Sequence, residues 1–101
     1  MLPRLIKISK IGEPNLGFIS VLEENSNLPF DIKRVYWTYF TPNHIERGHH
    51  AHKALHQIIV AVSGIIDFTL ENPQGNIYEF TLDEPSTCLY IPPGFWRKIR
   101  F

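Results

Sequence analysis

The chain has 101 residues, ten basic against ten acidic side chains and a hydrophobic share of 44%, so it reads as one domain over residues 1–101 with an ordinary core. The neutral balance offers no field to gather nucleic acid or an anionic membrane, and no run is apolar enough for a signal peptide or a membrane span; a soluble cytoplasmic protein is expected. The single cysteine, Cys88, excludes an internal disulfide and reads as a buried structural thiol in the run Thr87-Cys88-Leu89-Tyr90-Ile91.

In chain order, short runs rich in Ile, Val, Tyr, Phe and Trp alternate with Gly, Pro and Asn, and no helical stripe persists. Strands are expected at 5–8, 18–22, 34–40, 48–52, 57–62, 65–71, 77–82, 88–91 and 96–101. Turns are expected at Gly12-Glu13-Pro14-Asn15, Thr41-Pro42-Asn43, Ser63-Gly64, Asn72-Pro73-Gln74-Gly75 and Pro92-Pro93-Gly94. That spacing predicts an all-β antiparallel sandwich or barrel. The run at 57–62 is apolar on both faces, as a central covered strand would be. The run at 34–40 is aromatic on both faces, which suits core packing and subunit contact, or a face that lends Tyr36 to a ligand cavity.

The richest chemistry lies in Arg47-Gly48-His49-His50-Ala51-His52-Lys53, followed by Gln57 and Gly64. In a regular strand His50 and His52 share one face, while His49 and Lys53 point to the other. Two imidazoles side by side either hold a metal or move protons, and spacing alone leaves both open. His44 and His56 read as structural or solvated residues, and Trp96 as packing.

The spacing from His50 and His52 through Gln57 to Gly64 resembles the first cupin motif, in which the position of Gln57 is usually glutamate. Pro92-Pro93-Gly94-Phe95-Trp96-Arg97 resembles the second cupin motif, with arginine in place of histidine. Cupins are small jelly-roll barrels, and in their metal-binding members these two histidines, the glutamate and the second-motif histidine are the ligands. Here Gln57 is a weak neutral donor, and Arg97 has no lone pair to give. Two imidazoles alone would bind a divalent ion weakly, so a site without metal is expected.

A closer resemblance runs along nearly the whole chain. The blocks Gly17-Phe18-Ile19-Ser20-Val21-Leu22-Glu23-Glu24, Leu28-Pro29-Phe30-Asp31-Ile32-Lys33-Arg34-Val35-Tyr36, the Arg47–Lys53 run and Leu89-Tyr90-Ile91-Pro92-Pro93-Gly94-Phe95-Trp96 are similar, in order and spacing, to the dTDP-sugar 3,4-ketoisomerases. The resemblance implies a metal-free cupin that converts dTDP-4-oxo-6-deoxyglucose to a 3-oxo isomer without a cofactor, on routes to the sugars of bacterial surface polysaccharides. It implies His50 as the base at carbon 3 and His52 as the acid or shuttle toward carbon 4. It further implies homodimers that exchange N-terminal strands, and closing strands beyond Phe101. Family members commonly carry histidine at the position of Arg97.

That reaction needs a base and an acid active near neutral pH, and donors for a developing oxyanion. Histidine fills the first two roles, with an unperturbed pKa near ~6.5. Arg47 suits the pyrophosphate through its planar fork, and Tyr36 and Gln57 suit the sugar. Arg97 either reaches the cavity as an electrostatic partner or snorkels outward. The competing reading is a non-catalytic cupin module that binds a sugar or nucleotide.

Overall fold

Alternation of apolar and polar side chains builds half of the larger of two facing sheets. The computed structural model describes residues 1–23 and 28–101; Glu24, which ends the first block of the family resemblance, lies outside the described residues. Among those described there are nine strands and no helix: β1 (Arg4–Lys7), β2 (Ile11–Glu13), β3 (Gly17–Ile19), β4 (Glu46–His50), β5 (Gln57–Val60), β6 (Ile66–Glu71), β7 (Ile77–Leu82), β8 (Thr87–Ile91) and β9 (Trp96–Arg100). All pairings are antiparallel. The sheets run β4-β9-β6-β7 and β1-β8-β5, with β2-β3 as a separate hairpin. The architecture is the cupin-type all-β jelly roll expected.

In β6, Ile66, Phe68 and Leu70 face inward while Asp67, Thr69 and Glu71 face out. In β7, Tyr78, Phe80 and Leu82 do the same opposite them. The turn between these strands is held by Asn72, whose Oδ1 accepts from the amides of Gln74 (3.1 Å) and Asn76 (2.8 Å). From the other sheet Leu89 and Ile91 face the same core, with Ala61 and Phe95 closing it. Each buried leucine or phenylalanine contributes about 1.5–3 kcal/mol through its apolar area.

Three expectations change. The segment 34–40 is no strand: it runs unpaired among the described residues, with Trp37 73% and Phe40 94% exposed. Its β propensity is real, but propensity forms a strand only where a neighbour offers a ladder. The run at 57–62 is an edge strand, β5, and stops at Val60; β8, buried at four of its five residues, is the central one. Finally, Gly12 and Glu13, expected to open a turn, belong with Ile11 to β2, which pairs with β3 through Ile11↔Ile19 and Gly12↔Phe18.

Candidate active site

The first motif owes its geometry to a bulge. Glu46, Arg47 and Gly48 pair with Arg100, Ile99 and Lys98, and regular pairing would then set His49 opposite Arg97. Instead the register shifts between Gly48 and His50, and His50 takes the place opposite Arg97. Two residues of β4 thus oppose one of β9, and a β-bulge of this kind re-aims the side chains that follow it. Positive φ at Gly48 (+93°) and His49 (+57°) makes the kink. Because cross-strand partners share a face, His50 joins the inward row of Arg97, Leu70 and Tyr78. His49 is turned to the other face, 6.2 Å from the Trp96 ring.

The expected strand over 48–52 ends at His50, so His52 is placed by a loop. Its carbonyl accepts a 2.7 Å hydrogen bond from the Gly94 amide, which ties the first motif to the second. The imidazoles of His50 and His52 nevertheless meet edge-on, with centroids 4.8 Å apart and planes at 85°. His50 Nδ1 lies 2.9 Å from the Gly48 carbonyl oxygen. A carbonyl only accepts, so Nδ1 carries the proton and Nε2 keeps a lone pair free to act as a base. His52 is held below the ordinary imidazole value, first by burial and then by the positive charge of Arg97, by His50 and by Arg34. It therefore stays neutral near pH 7.

Arg97 does not snorkel. It is 2% exposed, and neither Nε nor Nη2 has a hydrogen-bond partner among the described residues. Burial pulls its pKa down and the neighbouring Tyr36 pulls it up; a guanidinium stays charged through such shifts. Gln57 enters from the opposite sheet. It pairs with Ile91, a core residue, and its Nε2 donates to Tyr36 Oη at 3.2 Å. Tyr36, Gln57, His50, His52 and Arg97 thus converge from two sheets and two loops.

Arg47 stands apart from this cluster. It is exposed and paired with Ile99, on the same face as the His50–Arg97 row but one inward row further along. Arg34, which the sequence did not single out, lies with its guanidinium 5.0 Å from the Tyr36 ring centroid and acts on His52. Its place two residues before Tyr36 in an aromatic run is the one signal that could have pointed to it.

The remaining histidine of interest is structural. His56 Nδ1 bonds the Tyr90 hydroxyl at 2.8 Å, and its ring stacks on Phe30. Lys53 is exposed, as expected. Cys88 is fully buried and burial pushes its thiol up, which leaves it inert as a nucleophile. Among the described residues, no three His, Cys, Asp or Glu side chains are placed to hold a metal ion, and no helix is long and apolar enough to cross a membrane.

A jelly roll whose motif histidines face a glutamine and a buried arginine, at the positions of the remaining ligands, defines a cupin with an imidazole pair in place of a complete metal cage. The chain belongs to the family described as WxcM-like, C-terminal (FdtA), whose model matches residues 1–101. It is 40% identical over 97 residues to the TDP-4-oxo-6-deoxy-alpha-D-glucose-3,4-oxoisomerase of Aneurinibacillus thermoaerophilus, covering 95% of this chain and 68% of that protein. Among solved structures it resembles the sugar 3,4-ketoisomerase QdtA of Thermoanaerobacterium thermosaccharolyticum in complex with TDP (36% identity, TM-score 0.89, 97% of this chain and 70% of that one). It also resembles the WlaRB TDP-quinovose 3,4-ketoisomerase of Campylobacter jejuni (35% identity, TM-score 0.87, 97% of this chain and 74% of that one).

Proposed function

We infer that the chain is a sugar-nucleotide 3,4-ketoisomerase, an isomerase that converts dTDP-4-oxo-6-deoxyglucose to a dTDP-3-oxo-6-deoxyhexose through an enediol. The observation that carries this reading is the imidazole pair at 4.8 Å, with a free Nε2 on His50, in a chain whose relatives are ketoisomerases. In our reading His50 Nε2 takes the proton on carbon 3. The C3–H pair becomes the C3–C4 double bond, and the carbonyl pair moves onto O4. Neutral His52, edge-on to His50, takes up that proton from it and delivers it to carbon 4 while the O3 hydroxyl proton passes to O4, which leaves the carbonyl at carbon 3 and both imidazoles neutral again. The oxidation level moves within one molecule, so the chemistry calls for no redox cofactor.

The same reading assigns the remaining roles. Tyr36 and Gln57 bind the sugar, and Arg47, exposed on the same face, reaches the pyrophosphate. The whole of 1–101 acts as one jelly-roll domain. A homodimer with exchanged N-terminal strands is supported by the isolated β2-β3 hairpin, which exposes Ile11, Leu16, Phe18 and Ile19; a lone two-stranded hairpin is marginal without a partner surface. A nucleotide-sugar substrate suits work in the cytoplasm, within deoxysugar supply for surface polysaccharide.

The test is incubation with dTDP-4-oxo-6-deoxyglucose in deuterium oxide, followed by NMR. Loss of the carbon-3 proton with deuterium entering carbon 4 is the expected result. Binding of the nucleotide sugar without exchange would refute the isomerase and leave a binding module.

A further inference from the structure

A buried charge without a counter-charge is costly to a fold, and Arg97 is such a charge. Its Nε and Nη2 have no acceptor, and among the described residues no carboxylate pairs with it. No carboxylate is among the groups that face it, which are the Tyr36 phenol, His50 opposite it on β4, and His52. Gln57, on the facing sheet, has spent its Nε2 on Tyr36 and leaves Oε1 buried without a partner. An arginine that only braced two sheets would end on a carboxylate or on backbone carbonyls. This one is held, unspent, beside the two imidazoles.

We propose that Arg97 is the catalytic counter-charge of the reaction: its unspent N–H donors bind the substrate oxygen that becomes anionic as the carbon-3 proton leaves, and Gln57 is an amide so that this charge is not cancelled beforehand. The inference rests on the ketoisomerase reading and deepens it. When the C3–H bond breaks toward His50, its electron pair enters the C3–C4 bond and the carbonyl pair settles on O4. The guanidinium meets that charge, and no oxidant or reductant takes part. Donors already held in place toward a developing oxyanion, as the buried Arg97 holds its own, need little reorganisation at the moment of reaction. Burial, and then the same field, act on His52, which faces Arg97 from β9, His50 from β4 and Arg34 from the 31–40 segment, and so starts the cycle neutral.

The experiment compares Arg97→Gln, Arg97→Lys and Gln57→Glu with the parent. Carbon-3 exchange and isomerisation of dTDP-4-oxo-6-deoxyglucose are measured in the presence of a chelator, so that a carboxylate placed near two histidines recruits no metal ion. Calorimetric TDP binding and thermal unfolding are followed in parallel. Arg97→Gln is expected to lose about 10²–10³-fold in kcat with KM and TDP affinity nearly unchanged, and Arg97→Lys to recover part of it. The acid limb of its pH–rate profile moves to higher pH, because His52 holds a proton more readily once the guanidinium is gone.

Gln57→Glu keeps the side-chain shape and supplies the missing counter-charge. It is expected to melt higher than the parent while losing kcat, so it tests the proposal even if Arg97→Gln fails to fold. Parent-like kcat in a folded Arg97→Gln, or in Gln57→Glu, overturns the proposal. So does a loss that appears only in KM. If the parent itself exchanges no carbon-3 proton, the ketoisomerase reading falls first; if the parent exchanges and the variants match it, the role of Arg97 alone falls.

Discussion

Replacing Gly48 with alanine tests whether the bulge in β4 builds the site. Gly48 sits at φ +93°, a region that costs a side-chain-bearing residue about 1–3 kcal/mol. A Cβ there would also stand 2.9 Å from the Arg97 carbonyl oxygen and 3.1 Å from Arg97 Cγ. The oxygen is backbone, so β9 itself has to give way, at about 1–3 kcal/mol of overpacking. The two costs sum to about 2–6 kcal/mol, or roughly 8–48 °C in melting temperature for a domain of this size.

The chain has one cheaper route, which is to close the bulge and restore regular pairing. That would set His49 opposite Arg97 and turn His50 toward the outer face with Trp96. Stability would then fall less and activity more. Thermal unfolding and carbon-3 exchange, measured on the same Gly48→Ala sample, distinguish the two routes. A variant that melts with the parent and exchanges at the parent rate would refute the reasoning.

Three further outcomes are expected. His50→Asn removes the free Nε2 base and should lower isomerisation by about 10²–10⁴-fold while calorimetry shows TDP binding retained; loss of both would make His50 an anchoring residue. His52, depressed in the fold, takes up its proton later than in the unfolded chain. As pH falls below the ordinary imidazole value the unfolded state therefore binds more protons, and stability drops from there toward the lower folded pKa. Urea midpoints at mildly acidic and neutral pH should differ less in His52→Gln than in the parent. Leu70, fully buried beside the Arg97 row, should cost about 2–5 kcal/mol as alanine, read as a lower urea midpoint with unchanged slope.

Much of the β6-β7 half was legible because alternation of period two is a local signal, and the turn at Asn72 carries its own hydrogen bonds. The 34–40 segment was misread because aromatic and β-branched composition reports a preference for a pleated surface, not the presence of a neighbouring strand. Arg34 went unremarked for a similar reason: its effect on His52 acts through space, across 18 residues of chain.

The amino-acid sequence by itself determined the β class, the two motifs, and the types of group available: two imidazoles, an amide and a guanidinium where a full ligand set would stand. Those are statements of composition and spacing, and they survive without coordinates. Tertiary structure decided which histidine faces the interior, because a single bulge at Gly48 exchanges His49 for His50 opposite Arg97. It also decided that Arg97 is buried and unpaired rather than extended into solvent. Both depend on the pairing of β4 with β9, strands some fifty residues apart in the chain, and no local pattern encodes the register of so distant a partner.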